Sequence, residues 1–429
     1  MNKTISRINH GLNGEITIPG DKSISHRSVM FASLGDTPVR IENFLNAADT
    51  LSTVNIMKAL GAKVEFIDDN TLIVTGCGLH GLKEPQTVLD AGNSGTTLRL
   101  LMGLLAGANI NAEFTGDDSL SNRPMKRIIE PLTTMGANIE SNAGKLPIKI
   151  KSVNQRLKAI EYDMPVASAQ LKSAIILAGL FADGQTKITE PQVSRDHTER
   201  MLSAFGAKIT KSKNAVTIER ADKLTAPKEI FVPSDISSAA YFMVLGLITK
   251  NSELLIKNIG VNTTRTGIID VLKEMCANIE LENKRTICGE EIADIRVKYS
   301  KLKGVNINKE IMGRLIDEIP IIAVAAAFAE GQTVIKGAGE LRVKETDRIK
   351  AVAESFNKFA EGMVEELDDG MIIQGNLKKK FAKADSYGDH RIAMSLAILG
   401  AAANGVEITN AEVVNISYPG FYAELEKIK

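Results

Sequence analysis

Apolar residues in this chain come in short runs that stop at glycine, asparagine or aspartate and resume as shorter β-branched runs. FASLGDTPVRIENFL, LMGLLAGANINAEFTG, ILAGLFADGQTKITE, FMVLGLITKNSELLIKNIG, AVAAAFAEGQTVIKGAG and LAILGAAANGVEITNAE each read as the end of a small-apolar helix, a turn and a strand. Six such segments, spaced by about seventy residues, fill the chain. A second pattern is interleaved: in MKALGAKVEF, LTTMGANIES, LSAFGAKIT and LKEMCANIEL a helix ends at a turn and enters a strand, and FNKFAEGMVEE is a degenerate copy. SYPGFYAELEKI supplies a sixth such helix with no strand behind it. The early strand NGEITIPG is therefore expected to close that last unit and bring the chain ends together.

Each unit is then two helices and several strands, and six units suggest two lobes of three. Crossings near Gly20 and Pro233 place residues 21–232 in one lobe and residues 1–20 with 233–429 in the other. The length, 429 residues of which 44% are hydrophobic, supports two cores rather than one. No apolar run approaches the ~18 residues that would span a bilayer, and MNKTISRINHGLNGE lacks the apolar stretch of a secretory leader. Cys77, Cys276 and Cys288 are odd in number and widely spaced, which suits a reducing cytoplasm better than a disulfide framework. Lys plus Arg equals Asp plus Glu at 52 each, so the chain as a whole favours neither nucleic acid nor membrane, and any anion site must be built locally. A repeat alone would also fit a ring-like scaffold or solenoid.

The helix starts carry the chemistry. The first helix of each unit opens at GDKSISHR, AGNSGTTLR, VASAQLKS, PSDISSAA, IDEIPIIA and YGDHRIAM. Ser, Asp, Asn and Gly there are ordinary caps, because a side-chain oxygen satisfies a free backbone N–H of the first turn. Capping does not account for Lys22, Arg27 and Arg391, since a cation near a helix N-terminus meets the positive end of the dipole at a cost of about 0.3–1 kcal/mol. A phosphate or carboxylate would take the N–H groups, the hydroxyl donors and the Lys/Arg charge together. Second helices add more: SLSNRPMKR puts Arg123 before a helix-starting Pro124, SRDHTER holds Arg195 and Arg200, and RVKETDRIK holds Lys344, Glu345 and Arg348. In KETDR the four-residue spacing puts Lys344 and Arg348 on one helical face with Glu345 beside them. One such motif fits an exposed salt-bridge ladder. Its recurrence at element starts in both lobes fits a cleft closing on a multiply charged ligand.

GDKSISHR, GNSGTTLR, SNRPMKR, SAQLKSA, SRDHTER, LRVKETDRI and YGDHRIAMS together resemble the 5-enolpyruvylshikimate-3-phosphate synthase family, from Gly14 to the C-terminus. The resemblance implies an α/β (α+β) two-lobed enolpyruvyl transferase fold of six repeated βαβαββ-type units, three per lobe, with helix N-termini facing the cleft. It implies transfer of the enolpyruvyl group from phosphoenolpyruvate to the 5-hydroxyl of shikimate 3-phosphate with release of phosphate, a step toward chorismate and the aromatic amino acids. Each substrate carries a phosphate and a carboxylate, which matches the number of cations.

By the same resemblance Lys22 touches both substrates, Ser23 and Arg27 bind the shikimate portion, and Ser168 with Ser194 hold its phosphate. Gln170 lies between the ligands, and Lys344 and Asp317 also contact shikimate 3-phosphate. Gly95 lets the backbone approach phosphoenolpyruvate, whose phosphate and carboxylate are gripped by Arg123, Arg348 and Arg391. Arg195 and Arg200 are further candidate phosphate ligands. The chemistry is an addition followed by an elimination, in which one proton is delivered to C3 of phosphoenolpyruvate and another leaves the attacking hydroxyl in a dry site. Asp317, in RLIDEIPIIAVAA, matches the family's aspartate that takes the hydroxyl proton; read alone it is equally an N-cap before Pro320. Glu345 matches the carboxyl placed near the methylene carbon, with Lys22 as the rival proton donor, and His390 assists at the departing phosphate.

Some positions depart from the family pattern. Ala169 stands where many relatives have a second serine, leaving Ser194 or Arg195 to compensate, and Ile416 stands where many carry a lysine. Leu100 and His197 point to the often glyphosate-tolerant branch, although Gly95 is not enlarged; tight competition by glyphosate against phosphoenolpyruvate would refute tolerance. No metal-ligand spacing and no dinucleotide fingerprint is present, so neither metal nor cofactor is expected. The expected partners are the two substrates alone, with no nucleic acid and no membrane, acting on a cytoplasmic monomer whose lobes close around them. His10 and His80 read as surface residues. Two rivals remain: UDP-N-acetylglucosamine enolpyruvyl transferase, whose reactive cysteine is missing from GDDSLSNRPMKR, and a non-catalytic phosphometabolite-binding protein, which predicts losses among Lys22, Asp317, Glu345 and His390.

Overall fold

The element that recurs is a buried helix joining two parallel strands. Leu89–Asp90 leads into the helix Gly95–Ala108, which returns to Ala112–Thr115, and the two strands pair in parallel, Leu89 opposite Phe114. A parallel pair cannot be closed by a hairpin; it needs a crossover of a dozen or more residues, and the helix supplies it. The same construction joins Glu161–Asp163 through Ala169–Gly179 to Gln185–Thr189, Asn306–Ile307 through Ile319–Phe328 to Gln332–Ile335, and Ala382–Asp385 through His390–Ala402 to Val406–Thr409. Antiparallel strands then widen the sheet: Ala112–Thr115 pairs with Lys145–Lys151, and that strand with Asn138–Asn142. Lys145–Lys151 (KLPIKIK) alternates exposed and buried residues along its length, as expected of a strand with one face on the core and one in water.

The computed structural model describes residues 1–428, and these form six small mixed sheets in two compact units. One unit is Gly20–Pro233 with Thr286–Glu290; the other is Met1–Pro19, Ser234–Arg285 and Glu291–Lys429. Each has its own apolar core built on the crossover helices. Helices such as Ile236–Ile248 and Ile319–Phe328 are apolar all round and almost wholly buried, which is why their sequences lack the one-sided pattern of a surface helix. In the first unit the helices Gly95–Ala108 and Ala169–Gly179 approach so closely that a Cβ on Gly103 would collide with the Ala174 carbonyl. Among the described residues no helix is long and apolar enough to cross a membrane.

Two sheets are completed by strands from far along the chain. Glu229–Phe231 lies parallel to Pro38–Glu42, and Asn13–Thr17 lies parallel to Glu253–Gly260. This corrects the expectation that NGEITIPG closes the C-terminal unit. In that sheet Val406–Thr409 pairs with Ala382–Asp385 on one side, and its other edge is taken by Lys3–Ile5, antiparallel. The N-terminus is still drawn to the C-terminal segment, with the Met1 ammonium 2.7 Å from Glu412.

Candidate active site

Five of the six inner helices begin with the side-chain caps that their sequences suggest. Asp21 accepts from Ile24 N at 2.9 Å, Ser94 Oγ from Thr97 N at 3.2 Å, Ser168 Oγ from Leu171 N at 3.4 Å, Asp235 from Ser237 N at 2.9 Å and Asp389 from Arg391 N at 2.7 Å. The sixth differs. Asp317 lies in a single 3-10 turn, Ile316–Glu318, and no side chain caps the helix Ile319–Phe328 that follows. Asp317 is therefore not an N-cap; its carboxylate lies 3.5 Å from Arg348 Nη1 and 3.8 Å from Arg391 Nη2.

In the Gly20–Pro233 unit, Lys22 opens the helix Lys22–Ser33 and its ammonium lies 3.1 Å from the nearly buried Asp49 carboxylate. One turn on, Arg27 is buried and donates from Nε to Thr198 Oγ1 at 2.7 Å, from Nη2 to Ser173 Oγ at 2.9 Å and from Nη1 to the Ser23 carbonyl at 3.0 Å. Burial pushes its pKa down to about 10, with Glu199 acting in the opposite direction. His26 is buried with Nδ1 2.7 Å from Thr53 Oγ1, and burial pushes it down to about 3, so the imidazole is neutral at physiological pH. Gln170 is locked at both ends: its oxygen accepts from Arg99 Nη1 at 2.5 Å and its nitrogen donates to Thr96 Oγ1 at 3.0 Å. Gly95 begins the neighbouring helix. A Cβ added there would meet Arg99 Nη1 at 3.0 Å and Arg123 Nη1 at 3.4 Å, so two guanidinium groups converge over its Cα. Arg123 is steadied by Asn93 Oδ1 at 3.3 Å.

The two serines expected at the shikimate phosphate differ in what they can offer. Ser168 uses its oxygen as an acceptor for the cap, which leaves its proton available to donate. Ser194 is buried and its hydroxyl donates to Glu190. Arg200 is held by Asp196 at 2.8 Å and by the Gly289 carbonyl at 3.2 Å, which makes it a strut of this region. His197 lies against Glu290, Nδ1 to Oε1 2.8 Å.

In the other unit Arg348 is the hub. Its guanidinium is 1% exposed and donates from Nε to Asp389 Oδ2 at 2.7 Å and from Nη2 to Glu345 Oε2 at 2.6 Å. Burial works against the charge, but Asp389 and Glu345 outweigh it and raise the pKa above the ordinary arginine value. Arg391, beside His390 at the start of the helix His390–Ala402, donates to the Asp317 carbonyl at 3.1 Å. There too burial is outweighed, by Asp317 first, and the pKa is raised. Lys344 and Arg348 do not share a helical face. Asp347 is extended and caps Lys350 N at 3.1 Å, so the helix starts only at Arg348, and Lys344 sits in the preceding irregular stretch, paired with Glu340 at 2.6 Å.

Sequence reasoning passed over Asp49, Arg99, Lys172, Glu190 and Glu199, all nearly or fully buried. The available signal was a charge inside an otherwise apolar helical run, as in TTLRLLMGLL and AQLKSAIILAG.

The sequence pattern of the family described as EPSP synthase (3-phosphoshikimate 1-carboxyvinyltransferase) matches residues 7–425. A 3-phosphoshikimate 1-carboxyvinyltransferase of Bacillus cereus (strain G9842) is 51% identical over 429 residues, 99% of each chain. One of Bacillus thuringiensis subsp. konkukian (strain 97-27) is 51% identical over 427 residues, again 99% of each. The solved EPSP synthase of Acinetobacter baumannii is 42% identical and covers 100% of this chain and 98% of its own, with a TM-score of 0.91. The enolpyruvyl transferase NikO of Streptomyces tendae shares the fold at 18% identity and a TM-score of 0.78, covering 99% of this chain and 96% of its own. With a match that runs nearly end to end and the charged helix starts in place, the chain belongs to the EPSP synthase family.

Proposed function

We propose that this chain transfers the enolpyruvyl group of phosphoenolpyruvate to the 5-hydroxyl of shikimate 3-phosphate and releases inorganic phosphate. The observation that carries the reading is the set of charges around Arg348 and Arg391: a buried cation and a partly buried one, each in contact with Asp317, with Glu345 on the first. An addition–elimination needs fixed positive charge for the donor's phosphate and carboxylate, and carboxyl groups able to take and give a proton beside it. In this reading Arg123, Arg348 and Arg391 bind phosphoenolpyruvate, with Gly95 leaving room for it. Ser23, Arg27, Ser168, Ser194, Asp317 and Lys344 bind shikimate 3-phosphate, and Lys22 and Gln170 contact both substrates.

Asp317 takes the proton from the 5-hydroxyl as its oxygen bonds to C2, while Glu345 or Lys22 delivers a proton to C3. Loss of a proton from C3 and departure of phosphate, assisted by His390, then restore the double bond in the product. The chain is proposed to act as a cytoplasmic monomer, for which sedimentation velocity should read a single species of one-chain mass.

The test is to mix the purified chain with both substrates and follow phosphate release together with formation of the enolpyruvyl ether. Release that requires both substrates is the expected result. A non-catalytic binding protein would bind both and release nothing, and a UDP-N-acetylglucosamine enolpyruvyl transferase would release phosphate only when the nucleotide sugar is supplied.

A further inference from the structure

Lys172, Glu190 and Glu199 form a charge cluster that none of the roles above uses, with exposures of 1%, 2% and 1%. Lys172 belongs to the helix Ala169–Gly179, Glu190 follows the strand Gln185–Thr189, and Glu199 is on the helix His197–Ala204. The ammonium lies 2.6 Å from Glu190 Oε1 and 2.8 Å from Glu199 Oε1, and it donates to the Ser194 carbonyl at 3.3 Å. The contacts to Glu190 and to the Ser194 carbonyl are hydrogen bonds, and that to Glu199 is an ion pair. The second Glu190 oxygen accepts from the Ser194 backbone N–H at 3.0 Å and from the Ser194 hydroxyl. Glu190 is itself pinned through its backbone, its N–H donating to the Asn214 carbonyl at 2.8 Å and its carbonyl accepting from Asn214 Nδ2 at 2.6 Å.

All three polar groups of Ser194, the N–H, the hydroxyl and the carbonyl, thus end on the Lys172–Glu190 pair. Residues 191–196 lie in neither helix nor strand, so no ladder of backbone bonds sets where Ser194 stands. We infer that Glu190, anchored by Lys172, is a positioning residue: its bond to the Ser194 N–H, with that of Lys172 to the Ser194 carbonyl, holds the residue in place while the hydroxyl turns from Glu190 to donate to the phosphate of shikimate 3-phosphate. The inference rests on the reading of Ser194 as a ligand of that phosphate.

Steady-state kinetics of the full chain test it through Glu190→Gln, Glu190→Asp, Ser194→Ala and the double variants. Glu190→Gln replaces the acceptor facing Lys172 by an amide, and Glu190→Asp keeps the charge but withdraws it by one methylene. Each single variant should raise KM for shikimate 3-phosphate about tenfold while kcat and KM for phosphoenolpyruvate change less than about threefold. Because Glu190 acts through Ser194, Glu190→Gln in the Ser194→Ala background should add nothing to the loss. A merely structural role predicts losses that add in the double variant and fall on both substrates, and that result overturns the inference, as does an unchanged KM in both Glu190 variants. If Glu190→Gln does not fold, Glu190→Asp carries the same cycle with the cluster's charge intact. An unchanged KM in Ser194→Ala would instead sink the reading of Ser194 as a ligand, whereas a raised KM there with unaffected Glu190 variants sinks only the positioning role.

Discussion

Arg348 Nη2 lies 2.6 Å from the carboxylate of Glu345. A cation proposed to hold the donor's anionic groups is thus paired to a carboxyl group proposed to act at the donor's methylene carbon. Asp389, wholly buried and 2.7 Å from Arg348 Nε, fixes the guanidinium from the other side. On the proposed reading the donor is expected to compete with Glu345 for one nitrogen of Arg348 while Asp389 keeps the group in place.

Glu345→Gln follows directly from that arrangement. Arg348 stays anchored by Asp389, so folding should be preserved, and loss of the proton-transfer group should lower kcat by about 10²–10⁴-fold. KM for phosphoenolpyruvate should be unchanged or lower, because an internal competitor has been removed. A raised KM with kcat intact would count against this role.

At Gly95 the test is steric. The added methyl of Gly95→Ala meets Arg99 Nη1 at 3.0 Å, which displaces that guanidinium by a few tenths of an ångström, and comes into van der Waals contact with Arg123 Nη1 at 3.4 Å, taking up the space over the Gly95 Cα. KM for phosphoenolpyruvate should rise about tenfold, equivalent to ~1.4 kcal/mol of lost binding. The melting temperature should hardly move, since the methyl points at side-chain ends rather than into the core.

His26 makes the Gly20–Pro233 unit acid-sensitive. An unfolded chain protonates this residue below its ordinary value of 6.5, whereas the folded one resists until about pH 3. The unfolded state therefore binds the extra proton in that window, and stability falls as pH falls, by at most about 1.4 kcal/mol per pH unit. Denaturant unfolding of the wild type and His26→Asn between pH 6.5 and 4.5 should show a shallower loss in the variant; parallel slopes would contradict the buried neutral imidazole.

Lys172 is the cation on which two buried carboxylates depend. Burial alone would lower its pKa, but Glu199 and Glu190 raise it, so its contribution is present throughout neutral pH and is lost only above the ordinary lysine range. Lys172→Met strands both carboxylates and should destabilise the fold by about 3–5 kcal/mol, read as a lower denaturation midpoint.

Much of this was legible in the chain. The helix starts were readable because a cap is a local event: Asp21, Ser94, Ser168, Asp235 and Asp389 each bond a backbone N–H two or three residues ahead. The alternation of apolar helix ends, turns and β-branched runs likewise reports on neighbours within one unit. Strand partners were not legible for Asn13–Thr17 and Glu229–Phe231, because each pairs with a strand far away in the sequence, and local pattern does not say which sheet edge a strand will join. Lys344 and Arg348 show a local reading failing for a local reason: Asp347, as a cap, interrupts the helical spacing on which a shared face depends.

The sequence by itself determined where helices begin, which segments are buried, and which residue types stand at the charged starts, since each depends on steric and hydrogen-bonding preferences spanning a few residues. Only the tertiary structure decided what those charges meet. Arg27 with Thr198, Lys172 with Glu190 and Arg348 with Asp389 join residues 171, 18 and 41 positions apart. A buried charge must find its counter-ion or donor through space, and composition cannot say which of 52 acids will face which of 52 bases until the cores have packed.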